Sequence, residues 1–209
     1  MKSRIILAVA TLLVLAIGLM AGHHNLEEAY VIYLSGSNYD NHIALPYSNT
    51  ISPQNAAGLR NSIIAAGGTD VNVYNWSGSS WQRYKGGGIG QTLFSLSPGV
   101  GYRVNISNSG YIPWTVDGSH DPSVSISLSA NARKLVSIPF NSPSYNASLL
   151  SDEIVAAGGT GVCVYQWTGT AWQKWSGGGL GQLDFGIESG KSYMVKSTSD
   201  VAAWYPALN

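Results

Sequence analysis

The chain has 209 residues, only 11% of them charged, with eleven basic and eleven acidic side chains and a formal net charge of zero. An average domain carries roughly 25% charge, so this chain has no basic stripe for nucleic acid and no acidic tail to steer it to a cation-rich partner. A single cysteine, Cys163, excludes an intrachain disulfide.

Lys2 and Arg4 precede the apolar run Ile5 to Ala21. A basic start followed by such a run reads as a secretory signal, or as an N-terminal membrane anchor if uncleaved. Residues 1–21 are assigned this role, and no cysteine follows the run to carry a lipid. Cleavage after Ala21 leaves Gly22-His23-His24 at the mature terminus, where an amine and imidazoles can chelate Cu(II). Cleavage one residue later makes His23 first, with His42 or His120 as the second imidazole. This is the remote metal reading, and a polar terminal tail is the simpler one. Asn25 to Leu34, with its apolar YVIYL, reads as a strand. It either pairs within its own unit or is donated to a neighbouring molecule.

The rest of the chain states one pattern twice. Ala65 to Val104 returns as Ala156 to Val195 at an offset of 91 residues, with 21 of 40 positions identical. A repeat of this length implies two units, placed at residues 22–118 and 119–209, with a junction at Asp117 to Ser123.

Each unit opens on an apolar strand ending at a proline, HIALPY (His42 to Tyr47) and LVSIPF (Leu135 to Phe140). A short helix follows. Ser52-Pro53 supplies an N-cap and a first-turn proline, Leu59 and Ile63 share one face, and Gly67-Gly68 ends it. Leu150, Ile154 and Gly158-Gly159 repeat the face and the stop. A hairpin comes next, NVYNW to WQRY and CVYQW to WQKW, around a glycine-bearing turn. The loops KGGGIGQ and SGGGLGQ then lead to a second expected hairpin, turning at Ser97-Pro98-Gly99 and Glu188-Ser189-Gly190. A short aromatic strand holding Trp114 or Trp204 closes each unit. The expected fold is mainly β, a β-rich α+β arrangement of two tandem homologous sandwich-like or barrel-like units, each with one short helix.

Chemistry is sparse. No carboxylate in the aligned block is shared between the copies, so a duplicated acid/base pair is not expected. No serine lies in a nucleophile elbow, and the glycine loops do not open a helix as a phosphate cradle must. Cys163 alternates with Val162 and Val164, and its counterpart is Asn72, which suits a small strand side chain. The chain therefore reads as no enzyme, with no cofactor. Seven Trp and twelve Tyr are the remaining candidates. Trp76 and Trp167 read as packing, whereas Trp81, Tyr84, Trp172 and Trp175 on the hairpin returns are candidate ligand-binding faces for sugar rings. The sequons at Asn75, Asn105 and Asn146 matter only in a glycosylating host.

The segments Ile43 to Pro46, Val73 to Trp81 and Leu96 to Val104, with their partners in the second copy, resemble a recurrent β-rich module of bacterial and archaeal secreted and cell-surface proteins. The second copy departs at Glu188 to Ser192, where a Pro and a Gly are lost. The resemblance implies an extracellular, non-catalytic structural or attachment protein. Its partners would be itself, other surface proteins or a polysaccharide, with membrane contact only through residues 1–21. A carbohydrate-binding module is the alternative, and an N-terminal copper protein the remote one.

Overall fold

The structure, a computed structural model, describes residues 28–138, 146–179 and 182–207. The expected leader, His23 and His24 lie outside them. The described chain is mainly β, with thirteen strands and two helices. Strands β1 (Glu28–Leu34), β2 (Asn41–Ile43), β3 (Ser48–Asn49), β4 (Asn72–Trp76), β5 (Trp81–Tyr84), β6 (Tyr102–Asn105) and β7 (Ile112–Ser119) carry the first half, with helix α1 (Ala56–Ala65). Strands β8 (Ile126–Leu128), β9 (Arg133–Ser137), β10 (Cys163–Trp167), β11 (Trp172–Trp175), β12 (Ser192–Lys196) and β13 (Val201–Trp204) carry the second, with helix α2 (Ala147–Ala156).

Two four-stranded antiparallel sheets have the same plan, ordered β2-β6-β4-β5 and β9-β12-β10-β11. Smaller sheets, β1-β7-β3 and β8-β13, complete the fold. Among the described residues the sheets do not close into a barrel, which corrects that part of the expected class. In the two four-stranded sheets β5 and β11 are the outer edges without a further strand partner among the described residues.

Strand alternation decides which side chains are inside. Along β7, Ile112, Trp114, Val116 and Gly118 are buried and the residues between them are exposed. The hairpins form as expected, with Trp76 opposite Trp81 and Trp167 opposite Trp172. Their ring centroids lie 5.2 and 5.5 Å apart. β1 pairs with β7 over its whole length, from Glu28 opposite Gly118 to Leu34 opposite Ile112. The donated-strand idea is thereby corrected for the described part of Asn25 to Leu34: its backbone is already engaged on one side within the first half.

Each helix lays two residues on a core. Leu59 and Ile63, and Leu150 and Ile154, are fully buried, and they anchor two separate apolar clusters. Trp114 sits in the first and donates from Nε1 to Ser62 Oγ at 2.9 Å. Trp204 sits in the second and donates to Glu153 Oε2 at 3.3 Å. Ser62 and Glu153 are matched across the repeat. Ser62→Ala is expected to leave the buried indole N–H unpaired and cost about 1–2 kcal/mol in urea unfolding.

Three expectations about boundaries are corrected. α1 begins at Ala56 and not at Pro53, because the Asn55 carboxamide accepts from Ala57 N and Gly58 N and so caps it. Asn146 caps α2 through Leu149 N. Asn55→Ala is expected to cost about 1 kcal/mol, read as a lower urea midpoint at unchanged slope. The second hairpin does not form. Phe94 O accepts from Ala56 N and Leu96 N donates to Gln54 O, so this segment pairs with the helix entry, while β6 enters between β2 and β4. The reason is packing: the Phe94 ring stacks on Tyr102 at 6.1 Å and closes the helix onto its sheet. The junction also shifts. β7 continues through Ser119, and a Cβ on Gly118 would stand 2.2 Å from Ser48 O, so this glycine serves strand contact and not a linker. The turn lies at Asp121 to Ser123, where Asp121 Oδ1 accepts from Ser123 N and Oγ.

Candidate ligand groove at the seam between the two sheets

The two four-stranded sheets meet through their backbones. Ile43 bridges Lys191, and Val100 bridges Val136. Ala44 N donates to Gly190 O at 2.9 Å, and Ser137 N donates to Gly99 O at 3.0 Å. In the repeat, HIALPY and LVSIPF match Ile43 to Val136 and Ala44 to Ser137, while Gly99 matches Gly190 and Val100 matches Lys191. Each contact is therefore answered by its exchange, as across a local two-fold axis. Gly101 and Ser192, also matched, face each other there, and a Cβ on Gly101 would lie 2.3 Å from Ser192 Cβ.

The symmetry fails in one place. Trp76 donates from Nε1 to Arg133 O at 2.9 Å, reaching across the seam. Its counterpart Trp167 has a buried Nε1 with no hydrogen-bond partner. On that side a groove of about 310 Å³ opens, with Tyr39, Asp40, His42, Gln166, Trp167 and Lys191 in its walls. A second recess of about 310 Å³ adjoins it, sharing Ser35, Tyr39 and Tyr111 and continuing past Ser37 and Ser109.

His42 is the hub of the inner wall. Its ring lies 4.8 Å from Trp172 and 5.8 Å from both Trp81 and Trp167, centroid to centroid. Burial drives its pKa down to about 3, with the positive Arg103 adding to the effect. The imidazole is thus neutral at pH 7, and its Nδ1 is buried without a partner. Arg103 lies over Tyr74 at 3.9 Å and over Trp81 at 4.3 Å. It also pairs with Asp40 at 3.2 Å. Across the groove Lys191 pairs with Glu188 at 2.7 Å. The matched residues in the other copy are different in kind: Leu135 for His42, Met194 for Arg103, Val100 for Lys191 and Arg133 for Asp40.

Of the four residues expected to bind a ligand, Trp81 and Trp172 meet around His42, while Tyr84 and Trp175 lie apart from them and from each other. Trp81 and Trp172 are half-buried, on opposite sides of the seam, and share His42. Tyr84 packs on the first core and Trp175 on the second. The Trp81 face that was to receive a sugar already holds Arg103. Of the histidines invoked for metal, His42 lies in this cluster. His120 sits against Tyr30 and Tyr47 at 6.0 and 5.1 Å, its pKa lowered by burial to about 4. Among the described residues, no group of three or more His, Cys, Asp or Glu could hold a metal ion. Cys163 is a half-buried, free thiol on β10.

Sequence reasoning passed over Tyr39, Asp40, Gln166 and Lys191. For Tyr39, Asp40 and Lys191 the available signal was inequality at matched positions, where the other copy has Ala132, Arg133 and Val100; Gln166 matches Asn75 and carries no such signal. The shared loop glutamines have a plain structural use, since Gln91 Oε1 accepts from Lys85 N and Gly87 N, and Gln182 Oε1 accepts from Ser176 N. No protein-family model, characterised protein or solved structure matches this chain.

Proposed function

We propose that this chain is a non-catalytic, exported protein of two tandem β-rich repeats that acts at the cell surface in attachment. The observation that carries this reading is the division of labour between shared and unshared residues. Shared side chains build cores, turns and hairpins, as Val73 and Val164, Gly78 and Gly169, and Tyr102 and Tyr193 do. Unshared polar residues gather on one groove. Its charged groups are held in ion pairs, Asp40 with Arg103 and Lys191 with Glu188. Such an arrangement favours holding a ligand over moving a proton.

Export follows from Lys2, Arg4 and the apolar run to Ala21. The test is labelling of intact producing cells with a membrane-impermeant amine reagent, which reaches exposed lysines such as Lys85 and Lys174. Labelling on intact cells is expected, and labelling only after lysis would overturn the reading.

Self-association is a second reading, favoured by the open edges at β5 and β11 and by exposed Val31 and Tyr33 on β1. Light scattering across a concentration series decides it, and a monomer throughout would remove it.

A further inference from the structure

We infer that the seam groove is a subsite for a neutral oligosaccharide, with Tyr39 and Tyr111 as stacking faces and Trp167, His42 and Gln166 as hydroxyl partners. The inference rests on the attachment reading and moves the binding site from the hairpin returns, Trp81, Tyr84, Trp172 and Trp175, to the seam groove. Four features of the groove point to this class of ligand.

The first is shape. Two recesses of about 310 Å³ each share Ser35, Tyr39 and Tyr111, so these two rings line both. Neighbouring recesses with aromatic rings common to both suit a ligand of more than one ring better than one compact ligand. The second is the rim. Tyr111 is 74% exposed and Tyr39 is 39% exposed, so both keep aromatic surface for the C–H face of a pyranose. The third is charge. Asp40 and Lys191 already have partners at 3.2 and 2.7 Å, so a charged ligand would have to displace an ion pair. An uncharged hydroxyl-rich ligand does not.

The fourth is the inner wall. Trp167 Nε1 and His42 Nδ1 are buried without partners, and their rings are 5.8 Å apart. In the other copy the equivalent indole is satisfied by Arg133 O. A buried unpaired donor is costly, and here it lies in a groove wall. Both nitrogens are closed off from solvent in this state, so a sugar OH reaches them only with a small shift of the wall side chains. A hydroxyl both donates and accepts, and once there it meets the indole N–H and either state of a neutral imidazole nitrogen. Gln166 and the serines of the second recess, Ser37 and Ser109, extend the same hydrogen-bonding character across the two recesses.

The test uses the full mature chain and a panel of soluble hexasaccharides. Neutral members contain glucose, mannose, galactose or N-acetylglucosamine, and charged members are a uronate hexamer and a sulfated hexamer. Binding is read by calorimetry and by saturation-transfer NMR. At least one neutral member is expected to bind at millimolar or better, and Tyr111→Ala should weaken it at least tenfold. Trp167→Phe keeps a ring but removes the donor, and should weaken it about threefold to tenfold. Tyr205→Ala, an exposed tyrosine outside the groove, should leave binding unchanged. Thermal unfolding of each variant shows that the fold is kept. Binding of no neutral member, preferential binding of a charged member, or equal affinity in Tyr111→Ala would overturn the inference. Failure here with labelling of intact cells removes the saccharide alone. Labelling only after lysis removes the attachment reading and leaves the groove result to stand by itself.

Discussion

Gly101→Ala should lower stability by about 3 kcal/mol, the upper range for forced overpacking. In a chain of this size that corresponds to a fall in Tm of roughly 6–12 °C. The new Cβ would stand 2.3 Å from Ser192 Cβ, 2.8 Å from Ser192 Oγ and 3.0 Å from Leu135 Cγ. The nearest of these atoms is tied directly to the backbone of β12, so the strand itself must move. The backbone around it is pinned, because Gly101 N donates to Leu135 O at 3.0 Å. The local two-fold relation supplies a sharper test. Gly101 and Ser192 occupy matched positions, so exchanging them, as Gly101→Ser with Ser192→Gly, places the single Cβ on the other strand. The pair should recover most of the loss, and the double-mutant coupling should be large. Wild-type stability in Gly101→Ala, or simple additivity in the exchanged pair, would show that the strands do not meet at these residues.

Acid should destabilise the chain through His42, and His42→Leu should remove that part of the loss. The folded ring takes a proton only near pH 3, whereas an unfolded histidine takes one near 6.5. Between these values the unfolded chain binds more protons, so stability falls as pH drops from about 6.5 towards 3. The slope is at most about 1.4 kcal/mol per pH unit for one such group. The charges facing His42 agree with this sign. Arg103 on β6 opposes a second positive charge, Asp40 is occupied by Arg103, and Lys191 across the groove is also basic. His120, lowered to about 4 by burial, acts in the same direction over the upper part of the window. His42→Leu places the residue of the matched position, Leu135, on β2. Its stability at pH 7 should stay within about 1.5 kcal/mol of wild type. Between pH 6.5 and 4 its urea midpoint should fall with a visibly shallower slope. Identical slopes would show that the ring is not desolvated in the folded chain.

Much of the fold was legible because its signals are local. The hairpins follow from Trp and Tyr around Gly78 and Gly169, which take φ near +100°. The helix faces follow from Leu59 with Ile63 and Leu150 with Ile154. The helix stops follow from Gly67 and Gly158, both at φ +98°. The misread pieces depend on distant partners. Phe94 and Leu96 look like half of a hairpin, yet their backbone bonds go to the helix entry forty residues earlier. Gly118 looks like a linker glycine until Ser48 is seen beside it. The site was less legible for the same reason. Trp81 and Trp172 read as candidate ligand faces because nothing in their own hairpins shows that His42 lies against both and Arg103 over Trp81.

The sequence by itself determined the repeated plan, the mainly β class, the two helices and the pairs Leu59 with Ile63 and Leu150 with Ile154 that they lay on the cores. These rest on alternation, capping and turn chemistry, which act over a few residues. Only the tertiary structure decided how the two copies face each other and where they part. Their meeting depends on a glycine opposite a serine and on main-chain bonds between strands far apart in the chain. The opening at Trp167 depends on one bond that Trp76 makes and its counterpart does not. No spacing in the sequence records that bond, since both tryptophans are the same residue in the same motif and differ only in what the opposite half presents to them.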